Sequence, residues 1–169
     1  MQPEFLKDID ALILDMDGVL WRESAAIGNL PAIFAHIETL GLKYVLATNN
    51  ATRTSRQYVE KLASFGAQIP LERIVNSSMA VAHLLHQQHP AGGPVFIVGE
   101  TGLAQALEKE GFYLSEEHPL AVIVSMDRQI NFEKMKTATL LIRSGVPFYA
   151  TNPDRTYPTP KGLIPGAGA

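Results

Sequence analysis

Short apolar runs alternating with segments of helical period constrain this chain more than any other feature. Ala11 to Leu14 predicts a buried strand, and Leu30 to Leu40 a helix stopped by Gly41. Lys43 to Ala47 predicts a second strand. Thr52 to Phe65 places Tyr58, Val59, Leu62 and Phe65 at helical spacing before Gly66. A third helix is expected from Ser77 or Ser78, either of which could cap it, to about His89. Beyond the Pro/Gly cluster Pro90 to Pro94, the densest before the C-terminal stretch and the best candidate for a linker, the rhythm resumes. Strands are expected at Val95 to Val98, Ala121 to Val124 and Pro147 to Ala150, with helices at Gly102 to Glu110 and Phe132 to Ser144. Strands separated by helices pair largely in parallel, so the fold class is α/β with a Rossmann-like parallel sheet. Thr151 to Ala169, with four prolines and three glycines, shows no periodicity.

Composition removes several classes of function. With 46% apolar and 18% charged residues, the chain can build a sizeable core. A net charge of −3 with no basic block argues against nucleic acid as a partner. The absence of cysteine rules out disulfides and thiolate metal sites. No apolar run is long enough to span a membrane, and the N-terminus has no basic segment followed by an apolar one; a cytoplasmic location is the expectation.

The chemistry gathers at two strand tips. Asp15 and Asp17 follow Leu12-Ile13-Leu14 and precede Gly18, at the end of the sheet where open parallel sheets collect ligands. Were the strand to continue, the two carboxylates would share a face, and close carboxylates tend to hold a cation or a proton between them. Magnesium, which needs few carboxylate oxygens and keeps its waters, suits such a place. An acidic strand-to-turn junction would look the same, and metal-dependent glycosyltransferases also use Asp-x-Asp. The second strand ends in Thr48-Asn49-Asn50, about thirty residues on, where a hydroxyl and backbone amides could hold a phosphate beside a cation.

Together these residues resemble the haloacid dehalogenase superfamily of aspartate-nucleophile phosphatases. Asp15-Met-Asp17-Gly-Val-Leu is similar to its first motif and Thr48 to its second. Trp21, Arg53 and Thr151-Asn152-Pro153-Asp154 resemble the branch of para-nitrophenyl phosphatases, phosphoglycolate phosphatases and NagD-type phosphatases. The resemblance implies Asp15 as nucleophile, Asp17 as general acid and base, magnesium on the Asp15 carboxylate and the Asp17 backbone carbonyl, and phosphate on Thr48 and the Asn49 amide. It implies a partial core in residues 1–78 and an inserted α/β cap in 79–169, with Asp127, Arg128, Asn152 and Asp154 as candidates for choosing a small phosphorylated metabolite. A homo-oligomer joined through the cap is compatible with this reading.

The pattern departs from the family in one respect. Neither Gly-Lys-Pro nor a following Gly-Asp pattern occurs, and Lys161, in Thr-Pro-Lys-Gly-Leu, is a poor substitute for the family's phosphate lysine. The chain reads as the first part of a longer protein, nearly inactive and prone to associate or to unfold by itself. Three readings stay open: a magnesium-dependent phosphatase, a catalytically silent scaffold of the same fold, and another metal-dependent transferase. Elsewhere, His83, His86 and His89 fit a metal site poorly, since the third drifts off the face of the first two. Gly99-Glu-Thr-Gly102 reads as a turn with an N-cap more readily than as an anion seat.

Overall fold

A computed structural model describes residues 8–159 and 162–169; Lys161 lies outside the described residues. The chain divides into two compact units, one of residues up to Thr48 with Ser55–Val75, the other of Asn49–Thr54 with Asn76–Ala169. The division thus falls slightly before residue 78, and the short stretch after Thr48 groups with the second unit.

In the first unit β1 (Ala11–Asp15) is followed by two short strands, β2 (Trp21–Arg22) and β3 (Ala25–Ala26), which pair antiparallel. Helix α1 (Leu30–Thr39) then leads to β4 (Lys43–Thr48), and α2 (Ser55–Ser64) to β5 (Ile74–Asn76). The sheet order is β1-β4-β5, with β1 and β4 parallel. Asn29 starts α1 by accepting from the Ala32 amide, with a proline in the first turn where its missing N–H costs nothing. Gly41 and Gly66, at φ +72° and +84°, close the two helices in a left-handed conformation that β-carbons resist.

One face of this sheet is filled and the other is not. Leu12, Leu14, Tyr44 and Leu46 meet Phe34 and Ile37 from α1 and Tyr58 and Leu62 from α2 in a single core. Leu46 and Leu62 are fully buried, each contributing about 1.5–3 kcal/mol. On the opposite face Ile13 is 78% exposed.

The second unit begins with α3 (Ser77–Gln88) and β6 (Gly93–Val98), then α4 (Thr101–Lys109), β7 (Phe112–Leu114) and β8 (Val122–Val124). It continues through α5 (Phe132–Arg143), β9 (Phe148–Ala150) and a hairpin of β10 (Thr156–Thr159) and β11 (Gly162–Pro165). Four strands in the order β7-β6-β8-β9 are parallel throughout. Leu85 of α3 and Leu103 and Leu107 of α4 pack with Val95 and Ile123 in one core; Ala138 and Leu141 of α5 pack with Phe96, Val98 and Val122 in another. The unit is therefore wound on both faces, as the long apolar runs of its strands require.

Several expectations need correction. Pro90 to Pro94 is no linker: it is the turn from α3 into β6, inside the second unit, where Gly93 donates to the Gly111 carbonyl at 3.2 Å. A β-carbon on Gly92 would collide with that same carbonyl, so the glycines serve a close backbone approach. The cap of α3 is Asn76, whose side chain accepts from Met79, and not Ser77 or Ser78. The stretch after Thr151 is not without structure, since it holds the β10-β11 hairpin; prolines on a two-stranded ribbon hide the alternation that marks a strand. No helix among the described residues is long and apolar enough to cross a membrane.

Candidate active site

The site is assembled by register. Asp15 ends β1 opposite Ala47, so it stands beside the tip of β4 that carries Thr48. Its carboxylate is exposed, and Oδ1 accepts from the amide of Met16 at 2.8 Å. The strand does not continue: Met16 turns into the core, and Leu20 donates to the Met16 carbonyl at 2.9 Å to close a tight turn. Gly18 carries that turn at φ +85°, a conformation costly for any residue with a β-carbon, and its amide meets the Trp21 carbonyl at 2.8 Å.

Asp17 is consequently fixed from the far side of the turn rather than by the strand. Trp21 donates its indole Nε1–H to Oδ1 at 2.7 Å, and Thr48 Oγ1 lies 3.5 Å from Oδ2. Thr48 is buried, the last residue of β4. Asp15, Asp17 and Thr48, each identified from the sequence, are thus brought together at one sheet edge. Trp21 was legible only as part of a motif; nothing in its spacing revealed the bond to Asp17.

Asn49, the fourth candidate, begins the stretch that groups with the second unit. Its side chain donates to Asp154 Oδ2 at 2.9 Å, and its carbonyl accepts from Ser77 Oγ at 2.9 Å. Asn50 folds an Asx turn by accepting from both the amide and the hydroxyl of Thr52. Asn76 reaches the Arg53 carbonyl at 3.3 Å and Ser78 the Ala51 carbonyl at 3.4 Å. Ser77 and Ser78, expected to cap α3, instead tie this segment to it.

The remaining candidates occupy two loops of the second unit. Arg128 grips Glu100 through its side chain at 2.6 and 2.8 Å and through its own amide at 3.0 Å. The side-chain hydrogen bond from Arg128 holds the Glu100 carboxyl below its ordinary range, against an opposing effect of partial burial. Asp127, with a side chain 1% exposed, pairs with Lys134 at 2.7 Å and accepts from the Gln129 amide. Asn152 accepts from the Asp154 amide at 2.8 Å, orienting the aspartate that receives Asn49. Glu100 went unrecognised in the sequence because its partner lies in a different loop.

No three His, Cys, Asp or Glu side chains among the described residues form a metal-binding group. His86 instead meets the Glu110 carbonyl at 3.2 Å, and His83 lies 3.1 Å from the Gln87 side chain. The oxygens at the strand tips are nevertheless hard donors of the type magnesium prefers, and Asp15 is accessible.

A family model described as haloacid dehalogenase-like hydrolase matches residues 12–113. An acid sugar phosphatase of Staphylococcus aureus is 33% identical over 165 residues, covering 97% of this chain and 63% of the relative. The chain therefore spans less than two thirds of the length of the curated relatives it matches. Among solved structures, a putative p-nitrophenyl phosphatase from Bacillus subtilis shares 34% identity with a TM-score of 0.86, covering 96% of this chain and 63% of the other. A glycerol phosphate phosphatase from Mycobacterium tuberculosis, solved with magnesium, shares 30% identity with a TM-score of 0.86, covering 95% and 49% respectively. The paired aspartates at one strand tip, the threonine at the next and this family match lead to one conclusion: the chain belongs to the haloacid dehalogenase-like hydrolases.

Proposed function

We propose that the protein hydrolyses a small phosphate monoester through an aspartyl phosphate. The observation that carries this reading is the register of β1 and β4, which sets the Asp15 carboxylate beside Thr48, with Asp17 Oδ2 in reach of the threonine hydroxyl. In the first step an oxygen of Asp15 bonds to phosphorus and the bond to the leaving oxygen breaks, while Asp17 gives that oxygen a proton. In the second, Asp17 takes a proton from water as the water oxygen bonds to phosphorus, releasing inorganic phosphate and restoring Asp15. Thr48 and the Asn49 amide hold the phosphate oxygens.

The Asp15 carboxylate and the Asp17 backbone carbonyl would hold magnesium, as hard oxygen donors beside an anion suit it. When bound, magnesium supplies positive charge against the phosphoryl oxygens. The names of the relatives support sugar, glycerol or aryl phosphates as the substrate class. Selection among them falls to the second unit, through the loops held by Asp127, Arg128, Asn152 and Asp154.

Fluoride NMR of the chain with magnesium and beryllium fluoride, a mimic of the aspartyl phosphate, tests the reading. A bound signal is expected and should vanish in Asp15→Asn. No bound signal in the unsubstituted chain, or one that survives Asp15→Asn, would leave the catalytically silent scaffold as the better account.

A further inference from the structure

Trp21 has no place in the steps above, yet among the described residues it stands closer to the Asp17 carboxylate than Thr48 does. The chain's single tryptophan is fully buried, and its Nε1–H points at Oδ1 from 2.7 Å. The ring cannot swing away. Tyr58 stacks on it with centroids 6.3 Å apart, Phe65 lies against it at 6.0 Å, and Lys61 Nζ sits 4.2 Å above it. Tyr58 and Lys61 lie on α2 and Phe65 directly follows it, so this helix and the residue that ends it grip the indole together. The backbone closes the same loop, through a bridge between Asp17 and Trp21 and the bond from Gly18 to the Trp21 carbonyl.

An indole N–H donates and never accepts. We propose that Trp21 is a positioning residue for Asp17: it ties down Oδ1 and thereby turns Oδ2 to the Thr48 side as the oxygen that exchanges a proton with the substrate. This rests on the phosphatase reading for its consequence but not for its geometry. A buried indole needs some acceptor, and a backbone carbonyl would satisfy a purely structural one. Here the acceptor is the carboxylate whose orientation decides whether the leaving oxygen is met.

Because the chain has one tryptophan, its indole gives one N–H cross-peak in a proton–nitrogen spectrum. The peak is expected well downfield of a free indole, to move in both Asp17→Asn and Asp17→Ala, and to stay in place in Asp15→Asn. A peak indifferent to both Asp17 variants overturns the proposal. The kinetic arm uses Trp21→Phe, which keeps an aromatic ring and removes the donor. General acid help is worth about 10²–10⁴-fold and matters most for poor leaving groups, so kcat/KM, which reports the step that expels the leaving group, should fall several-fold on p-nitrophenyl phosphate and at least about tenfold further on an alkyl phosphate. Equal losses on both substrates would mean that Trp21 only supports the fold, and would also overturn the proposal. Turnover of neither ester is the outcome expected of a chain without the Gly-Lys-Pro and Gly-Asp patterns; the beryllium fluoride signal then tests the phosphatase reading, and the indole peak decides the positioning claim by itself.

Discussion

Asn49 and Asp154, 105 residues apart in sequence, share a hydrogen bond of 2.9 Å from side-chain amide to carboxylate. Asn49 follows Thr48 directly, and Asp154 closes the Thr151-Asn152-Pro153-Asp154 element, so the bond links two motifs that the sequence presented separately. Both side chains are exposed, which limits its strength. Asn49→Ala and Asp154→Ala should each cost about 0.5–1.5 kcal/mol in denaturant melts. The double variant should cost little more than either single one, because both remove the same bond. Full additivity would show the contact to be energetically idle.

Gly102 sets a harder limit. A β-carbon there would stand 2.5 Å from the Ala51 carbonyl oxygen and 2.8 Å from that of Arg53, both backbone atoms that cannot rotate away. Gly102→Ala gains in helix propensity yet should lose about 1–3 kcal/mol through overpacking. Thermal melts measure the difference, and an unchanged or raised Tm would refute the close approach.

The Glu100–Arg128 pair gives a pH dependence of known sign. Hydrogen bonding from Arg128 lowers the Glu100 pKa in the folded state, so the unfolded chain binds the proton more readily. The contribution is complete above the ordinary carboxylate range and disappears as pH falls through the lowered value. Stability of the Glu100→Gln variant, followed by melts from neutral to acidic pH, should converge on that of the unsubstituted protein at the acid end. A difference that is constant across the range would contradict this origin.

Ile13 offers a substitution without a folding cost. At 78% exposed, on the open face of an end strand, it contributes apolar surface and almost no packing. Ile13→Thr keeps β-branching and should shift stability by less than about 0.5 kcal/mol. It should also reduce self-association seen by size-exclusion chromatography, since a bare apolar strand at a sheet edge invites pairing. Unfolding of this variant would mean that the face is covered.

The elements legible in the sequence were those whose period is long enough to register. Leu30, Phe34 and Ile37 repeat along α1, and Val95 to Val98 run unbroken, so both were placed to within a few residues. The missed strands β5 and β7 hold three residues each, too few for a pattern. The catalytic candidates were legible because Asp15 and Thr48 each end an apolar run and Asp17 stands two residues beyond Asp15, directly before Gly18. The Glu100–Arg128 pair and the bond from Asn49 to Asp154 were not legible, since each partner lies in a distant loop and no local spacing encodes it. Proline spacing masked the hairpin near the C-terminus for a different reason, by removing the donors and the alternation that identify a strand.

The near-sequential division of the chain has a consequence for synthesis. The three described strands of the first sheet are encoded before Ser77, and residues 77–169 group with the second unit. A ribosome adding about 5–20 residues per second needs several seconds to deliver that remainder. Helices and small sheets form in far less time, so the sheet edge that carries Asp15 and Thr48 can take shape on the nascent chain while most of the second unit is still untranslated.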